Sequence, residues 1–279
     1  MTNKRKDVAI IGMSGRFPGS PNLKEFWANL KKNKDLITTI PEDRWDWNLF
    51  EGPTKDANSK SKVQWGGFIA DIDKFDPLFF GITPSEAEYI DPQQRITVEA
   101  VYHALEDAGI TMKSIKGTNT AVFMGASTTD YYAVLTNKKL NNRMHSSLGS
   151  AHSILANRIS YLYDLHGPSE PVNTACSSSL IAIHRAVESL HNGNCDMAIV
   201  GGVNAMLSPD VGLSFNQSGM LSEDGRCKTF DASANGYVRG EGVGVVILKT
   251  LEEAEKNGDP IKAIIKATAI NHGGKAKTL

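Results

Sequence analysis

Short, uninterrupted apolar runs alternate along the chain with stretches whose apolar residues recur every three or four positions. Val8-Ala9-Ile10-Ile11, Ala121-Val122-Phe123-Met124, Met197-Ala198-Ile199-Val200 and Val245-Val246-Ile247-Leu248 are of the first kind. Such runs predict strands buried on both faces, the first ending at Gly12. Ile261 to Ile270 alternates apolar residues with Lys262 and Lys266 and predicts a last strand. The second kind predicts helices. Asn22 is placed to cap a short one with an apolar face of Leu23, Phe26, Trp27 and Leu30. Ser85 is placed to cap a further turn, and Asp91-Pro92 opens a helix carrying Ile96, Val98, Val101, Tyr102 and Leu105 towards a stop at Gly109. Ser153 to Tyr161 reads as a helix with Ile154, Leu155 and Ile159 inward. Leu180, Ile181, Ile183, His184, Val187 and Leu190 predict a helix whose buried face they form.

Residues 41–80 follow neither pattern. Trp45, Trp47, Trp65, Phe68, Phe75, Phe79 and Phe80 stand at no fixed period among Gly, Pro and Asp, which predicts an excursion packed through scattered anchors. Thr54 to Lys62 is expected to be an exposed polar loop. Strands alternating with helices point to a layered α/β sheet. No repeat at 20–50 residues is evident.

One junction stands out. Val172, following Gly167-Pro168, is extended, and the helix begins by Leu180. Between them, Thr174 to Ser177 is almost entirely small, which permits a sharp turn with one side chain pushed out at its apex. That residue is Cys176. At a helix N-terminus, unpaired N–H groups and the macrodipole favour an anionic sulfur and an oxyanion. The other reading of a single Cys among small residues is a small buried hydrophobe.

Composition narrows the classes. A chain of 279 residues, 41% hydrophobic, can bury a large core, and a net charge of -1 gives no electrostatic reason to expect nucleic acid or anionic membrane. Three Cys do not make a disulfide framework and no pair has metal-ligand spacing, which fits a reducing cytosol. No run approaches the ~20 apolar residues of a membrane helix, and the apolar run after Lys4-Arg5-Lys6 is too short for a signal peptide. Gly240, Gly242 and Gly244 precede a strand, which points to close backbone packing and not to a phosphate cradle.

The residues around the turn carry a family likeness. Val172-Asn173-Thr174-Ala175-Cys176-Ser177-Ser178-Ser179-Leu180 resembles the active-site motif of β-ketoacyl synthases, specifically ketosynthase domains of modular polyketide synthases. Ile11-Gly12-Met13 with Arg16-Phe17-Pro18-Gly19, Asp91-Pro92-Gln93-Gln94-Arg95, Ala104-Leu105-Glu106-Asp107-Ala108-Gly109, Gly225-Arg226-Cys227-Lys228 and Gly236-Tyr237-Val238-Arg239-Gly240-Glu241-Gly242 match further signatures in the family's order. Asn173 departs, standing where the family usually has Asp. The resemblance implies a thiolase-like α/β layered fold. Residues 1–279 would form the N-terminal portion of one ketosynthase domain: its first half, the start of the second, and the excursion at about 41–80.

It also implies a mechanism. Cys176 takes an acyl chain from a carrier protein's phosphopantetheine thioester, with its backbone N–H as an oxyanion donor, and the acyl enzyme condenses decarboxylatively with a malonyl carrier. No metal or cofactor held by the domain is implied. Phe215 resembles the family position whose ring lines the acyl tunnel; a plain core Phe is the alternative. The family's catalytic histidines lie in His-Gly-Thr-Gly-Thr and Asn-x-x-Gly-His type segments absent here, so none of His103, His145, His152, His166, His184, His191 and His272 is assigned. Ketosynthases of this kind work as cytoplasmic homodimers, with the strand around Val172 and Asn173 paired across the two-fold and the Gly125 to Asp130 loop near the partner's pocket. A non-elongating transacylase or hydrolase using Cys176, and a non-catalytic dimerisation or docking module, are the rival classes.

Overall fold

The computed structural model describes residues 7–49, 51–53, 60–140 and 145–275. In chain order the principal elements are strand β1 (Val8–Arg16), helix α1 (Leu23–Lys31), α2 (Pro92–Asp107), β2 (Thr120–Gly125), α3 (Asp130–Asn137), α4 (His152–Tyr163), β3 (Ser169–Val172), α5 (Ser178–His191), β4 (Met197–Asn204), α6 (Asp210–Gln217), β5 (Gly242–Thr250), α7 (Leu251–Asn257) and β6 (Ala263–Ile265). The six strands form one mixed sheet in the order β6-β1-β5-β4-β2-β3. β2 runs parallel to β3 and β4, whereas β5 is antiparallel to both β4 and β1. The carboxyl ends of β1, β2, β3 and β4 therefore share one edge of the sheet.

The apolar runs are buried on both faces because helices cover both. Val122 and Met124 point into one core with Ile96, Val101, Leu105, Leu155 and Ile159 of α2 and α4. Ala121 and Phe123, one residue out of phase, point into the other with Ala182, Ala186, Val187 and Leu190 of α5. The period of two thus splits each strand between the layers, and each buried Val or Ile contributes about 1.5–3 kcal/mol.

Several expectations need correction. β1 runs through Gly12 to Arg16, with a register shift between Ile10 and Gly12. Gly12 does not end the strand; it lets α2 cross it, since a Cβ there would stand 2.4 Å from the Ala104 carbonyl oxygen. α1 is capped by Asn22, whose Oδ1 accepts the Glu25 N–H, yet none of its residues is buried. Thr83, not Ser85, caps the turn at Pro84–Ala87. In α5 the expected His184, Val187 and Leu190 are buried, joined by the small Ser178, Ala182, Ala186 and Ser189, while Leu180 is 70% exposed. The last strand is three residues long, pairing only with Val8, Ala9 and Ile10.

In the excursion, Glu51–Pro53 pairs with Lys60–Lys62, and Thr38–Thr39 with Trp65–Gly66. The expected loop is therefore partly a hairpin, and residues 54–59 of it lie outside those described. Of the three glycines, Gly242 is packed tightly, a Cβ there standing 3.1 Å from the Phe17 ring; a Cβ on Gly244 would meet only Phe17 Cζ at 3.7 Å and one on Gly240 nothing within 4 Å, so the close-packing reading does not extend to those two. Among the described residues, no helix is long and apolar enough to cross a membrane.

Candidate active site

Cys176 sits where β3 hands over to α5. Ala175, just before it, has φ +53°, a left-handed conformation that costs a residue with a Cβ roughly 1–2 kcal/mol. Side chains hold it there. Asn173 Oδ1 accepts the Ala175 N–H at 3.2 Å. Ser178 Oγ accepts the Thr174 N–H at 2.9 Å and donates to the Ala175 carbonyl at 2.6 Å. Ser177 Oγ donates to the Thr174 carbonyl at 2.8 Å. Residues Ala175–Ser177 form one tight helical turn, and α5 continues from Ser178. The departure at Asn173 leaves this bond in place, because an amide oxygen accepts as a carboxylate does.

Two glycines bring the start of α5 down onto the sheet. A Cβ on Gly125, at the end of β2, would lie 2.8 Å from Ser179 N; one on Gly202, in β4, would lie 2.7 Å from Ser179 Cβ. The exposed Cys176 is thereby held at the carboxyl edge of the parallel strands, where open α/β sheets place ligands. It lines a cleft of about 560 Å³ whose walls include Phe17, Ser127, Thr128, Asn204, Phe215 and Tyr237. The predicted pair Cys176 and Phe215 are thus brought together. Phe215 is half-buried, 6.5 Å between ring centres from Tyr237, and belongs to neither buried core. Phe17, Asn204 and Tyr237 escaped the sequence reading. Phe17 and Tyr237 lie in family signatures far apart in the chain but were given no role there, and Asn204 was not singled out.

The charged groups of the cleft are structural. Glu241 accepts the N–H groups of Ile69 and Met206, each at 2.8 Å, and pairs with Arg44 at 3.1 Å. Burial raises its carboxyl above the usual range, against the pull of Arg44. Removing either partner of such a buried pair costs about 3–5 kcal/mol, so the pair fastens the excursion to the end of β4. Arg239 is buried, with its guanidinium 5.6 Å from the Phe215 ring centre. Burial also raises the Tyr237 hydroxyl, an effect that Arg239 opposes.

Among the described residues no histidine lines the cleft. His272 is exposed and accepts the Gly274 N–H through Nδ1. His184 lies within α5, its Nδ1 2.8 Å from Thr268 Oγ1 and its Nε2 3.4 Å from Glu188. The other thiols differ from Cys176. Cys195 is buried beside Ser189 Oγ, and burial pushes its thiol up. Cys227 is exposed, accepts the Val238 N–H and does not line the cleft.

Known proteins share this arrangement. The family described as "Beta-ketoacyl synthase, N-terminal domain" matches residues 5–254. Polyketide synthase PksN of Bacillus subtilis is 50% identical over 275 residues, covering 98% of this chain and 5% of that protein. A Streptomyces albus oxazolomycin ketosynthase domain superposes with a TM-score of 0.90 at 39% identity, over 98% of this chain and 47% of that one. The ketosynthase from module 6 of the Bacillus subtilis bacillaene synthase gives 0.87 at 42%, over 97% and 45%. The chain spans less than half of those solved ketosynthases and a small part of the synthase. A family match over most of its length, carried on a mixed sheet with a cysteine at the head of its central helix, shows that the chain belongs to the β-ketoacyl synthase family, as its N-terminal domain.

Proposed function

We propose that Cys176 is the acyl-accepting nucleophile of a polyketide ketosynthase. Its sulfur attacks the thioester carbonyl of an acyl group carried on an acyl carrier protein's phosphopantetheine. The tetrahedral oxyanion collapses, the pantetheine thiol leaves with a proton, and the acyl group stays on Cys176. A malonyl carrier thioester then loses carbon dioxide, and its enolate carbon attacks the acyl carbonyl and releases the cysteine. The observation that carries this reading is the exposed Cys176 thiol, just after the left-handed Ala175, at the head of α5 and open to the cleft. A helix N-terminus offers N–H donors to the oxyanion, the Cys176 N–H among them. The rings of Phe17, Phe215 and Tyr237 suit an acyl chain, and Phe215 is assigned to substrate contact. Enolate stabilisation needs a hydrogen-bond or proton donor, a role for which imidazole is the natural candidate; among the described residues no histidine lines the cleft.

The partners follow from the same reading: acyl carrier proteins, and a second copy of the chain. Among the described residues β3 is the last strand of the sheet, with no strand on its outer edge, which suits strand pairing across a two-fold axis. Three free thiols suit the cytosol. The test is intact-mass analysis with peptide mapping after exposure to an acyl-pantetheine thioester. The acyl group is expected on Cys176 alone; equal labelling of a folded Cys176→Ala variant refutes the assignment. With a malonyl carrier added, a β-ketoacyl product separates a condensing enzyme from a hydrolase, which releases free acid.

A further inference from the structure

Ser178 does more than begin α5. A hydroxyl at a helix start ordinarily accepts an N–H two or three residues ahead. Ser177, at the cap position of α5, makes no such bond. The bonds of Ser178 run backward instead, accepting from Thr174 N–H and donating to the Ala175 carbonyl. One side chain thus ties together the two residues that precede Cys176. The residue is 6% exposed, with its Cβ 3.1 Å from where a Cβ on Gly125 would stand, so the end of β2 backs it closely. Ala175 lacks glycine's freedom and still has φ +53°. Its N–H goes to Asn173, which is exposed and bonds at a longer 3.2 Å.

We propose that Ser178 is a positioning residue for Cys176: its hydroxyl braces Ala175 in the left-handed conformation and so aims the sulfur into the cleft. This rests on the reading that Cys176 is the reacting thiol. It predicts that the cost of losing the hydroxyl falls on the reacting geometry and not on entry of substrate.

Single-turnover acylation of Cys176 by an acyl-pantetheine thioester, followed by intact mass across thioester concentrations on the full chain, tests it. Ser178→Ala is expected to lower the maximal rate about tenfold, equivalent to about 1.4 kcal/mol, with the half-saturating concentration unchanged. A merely structural role would lower Tm and leave the maximal rate intact well below the transition; that outcome overturns the proposal. Adding Ala175→Gly is expected to restore the rate to within about threefold of wild type, since glycine takes positive φ without a steric cost. Failure to recover also overturns it. If Ser178→Ala does not fold, the double variant decides: a folded, acylated protein supports the brace, and a second misfolded one refutes it. Iodoacetamide labelling of Cys176 keeps the two readings apart. A wild-type Cys176 that alkylates without acylating refutes the proposed function. Alkylation slowed in Ser178→Ala and recovered in the double variant still supports the brace.

Discussion

Replacing Gly125 with alanine tests whether the sheet itself seats the nucleophile. The added Cβ would stand 2.8 Å from Ser179 N and 2.9 Å from the Ser178 carbonyl carbon, both backbone atoms of α5. Backbone cannot swing aside as a flexible side chain can, so either the helix start lifts or the end of β2 shifts by several tenths of an ångström. Overpacking of this kind costs about 1–3 kcal/mol. For a chain of this size that lowers Tm by roughly 2–12 °C. The same displacement moves the Cys176 turn, and misplacements approaching 1 Å cost reactions up to about 100-fold. Gly240→Ala is the control, because a Cβ there meets nothing within 4 Å and the residue is exposed; it should stay within about 0.5 kcal/mol of wild type. Calorimetry and the rate of Cys176 acylation, measured on both variants, give the answer. A Gly125→Ala protein with wild-type Tm and wild-type acylation would show that the close seat of α5 on β2 does not exist.

Phe215→Ala should cost less than the ~3–5 kcal/mol of a core phenylalanine and shift the preferred acyl length; a large drop in Tm with unchanged preference would make it a core residue. Burial raises the Asp91 carboxyl to about 6. The folded state therefore takes up that proton before the unfolded chain does, and the burial penalty is relieved as pH falls from about 6 to about 4. Asp91→Asn, which keeps an acceptor for the Gln93 N–H, should lose this pH dependence in urea melts at pH 7 and 5, and parallel curves for the two proteins would contradict it.

The strands and the nucleophile turn were legible because each is local. Four apolar runs needed no partner to be read, and small residues from Thr174 to Ser177 announced a bend before α5. The misreadings arose where a distant element decides. Gly12 looks like a strand end until α2 is seen crossing it at Ala104. In α5 periodicity found the buried His184, Val187 and Leu190 but missed the small Ser178, Ala182, Ala186 and Ser189 buried with them, and wrongly turned Leu180 inward. Lys262 and Lys266 alternate as a strand would, yet only three residues there find a partner, along Val8 to Ile10. The cleft was half visible. Cys176 belongs to a continuous motif, whereas Phe17 and Tyr237 reach the same cleft from segments more than two hundred residues apart.

The place of β1 in the sheet sets a schedule for synthesis. Its partners are β5 and β6: Val8 lies opposite Thr250 on one side and Ile265 on the other. β2, β3 and β4 can align among themselves as soon as Asn204 is made. β1, translated before the other strands of the sheet, must wait for the whole of that core and for β5. At about 5–20 residues per second, the gap from Val8 to Thr250 takes roughly 12–50 s. Throughout that interval an apolar strand with two open edges trails from the growing chain, long enough for holding chaperones to bind it many times over and for neighbouring nascent chains to pair with it. In producing this protein, the speed and crowding of translation should therefore govern the soluble yield more than the stability of the finished sheet.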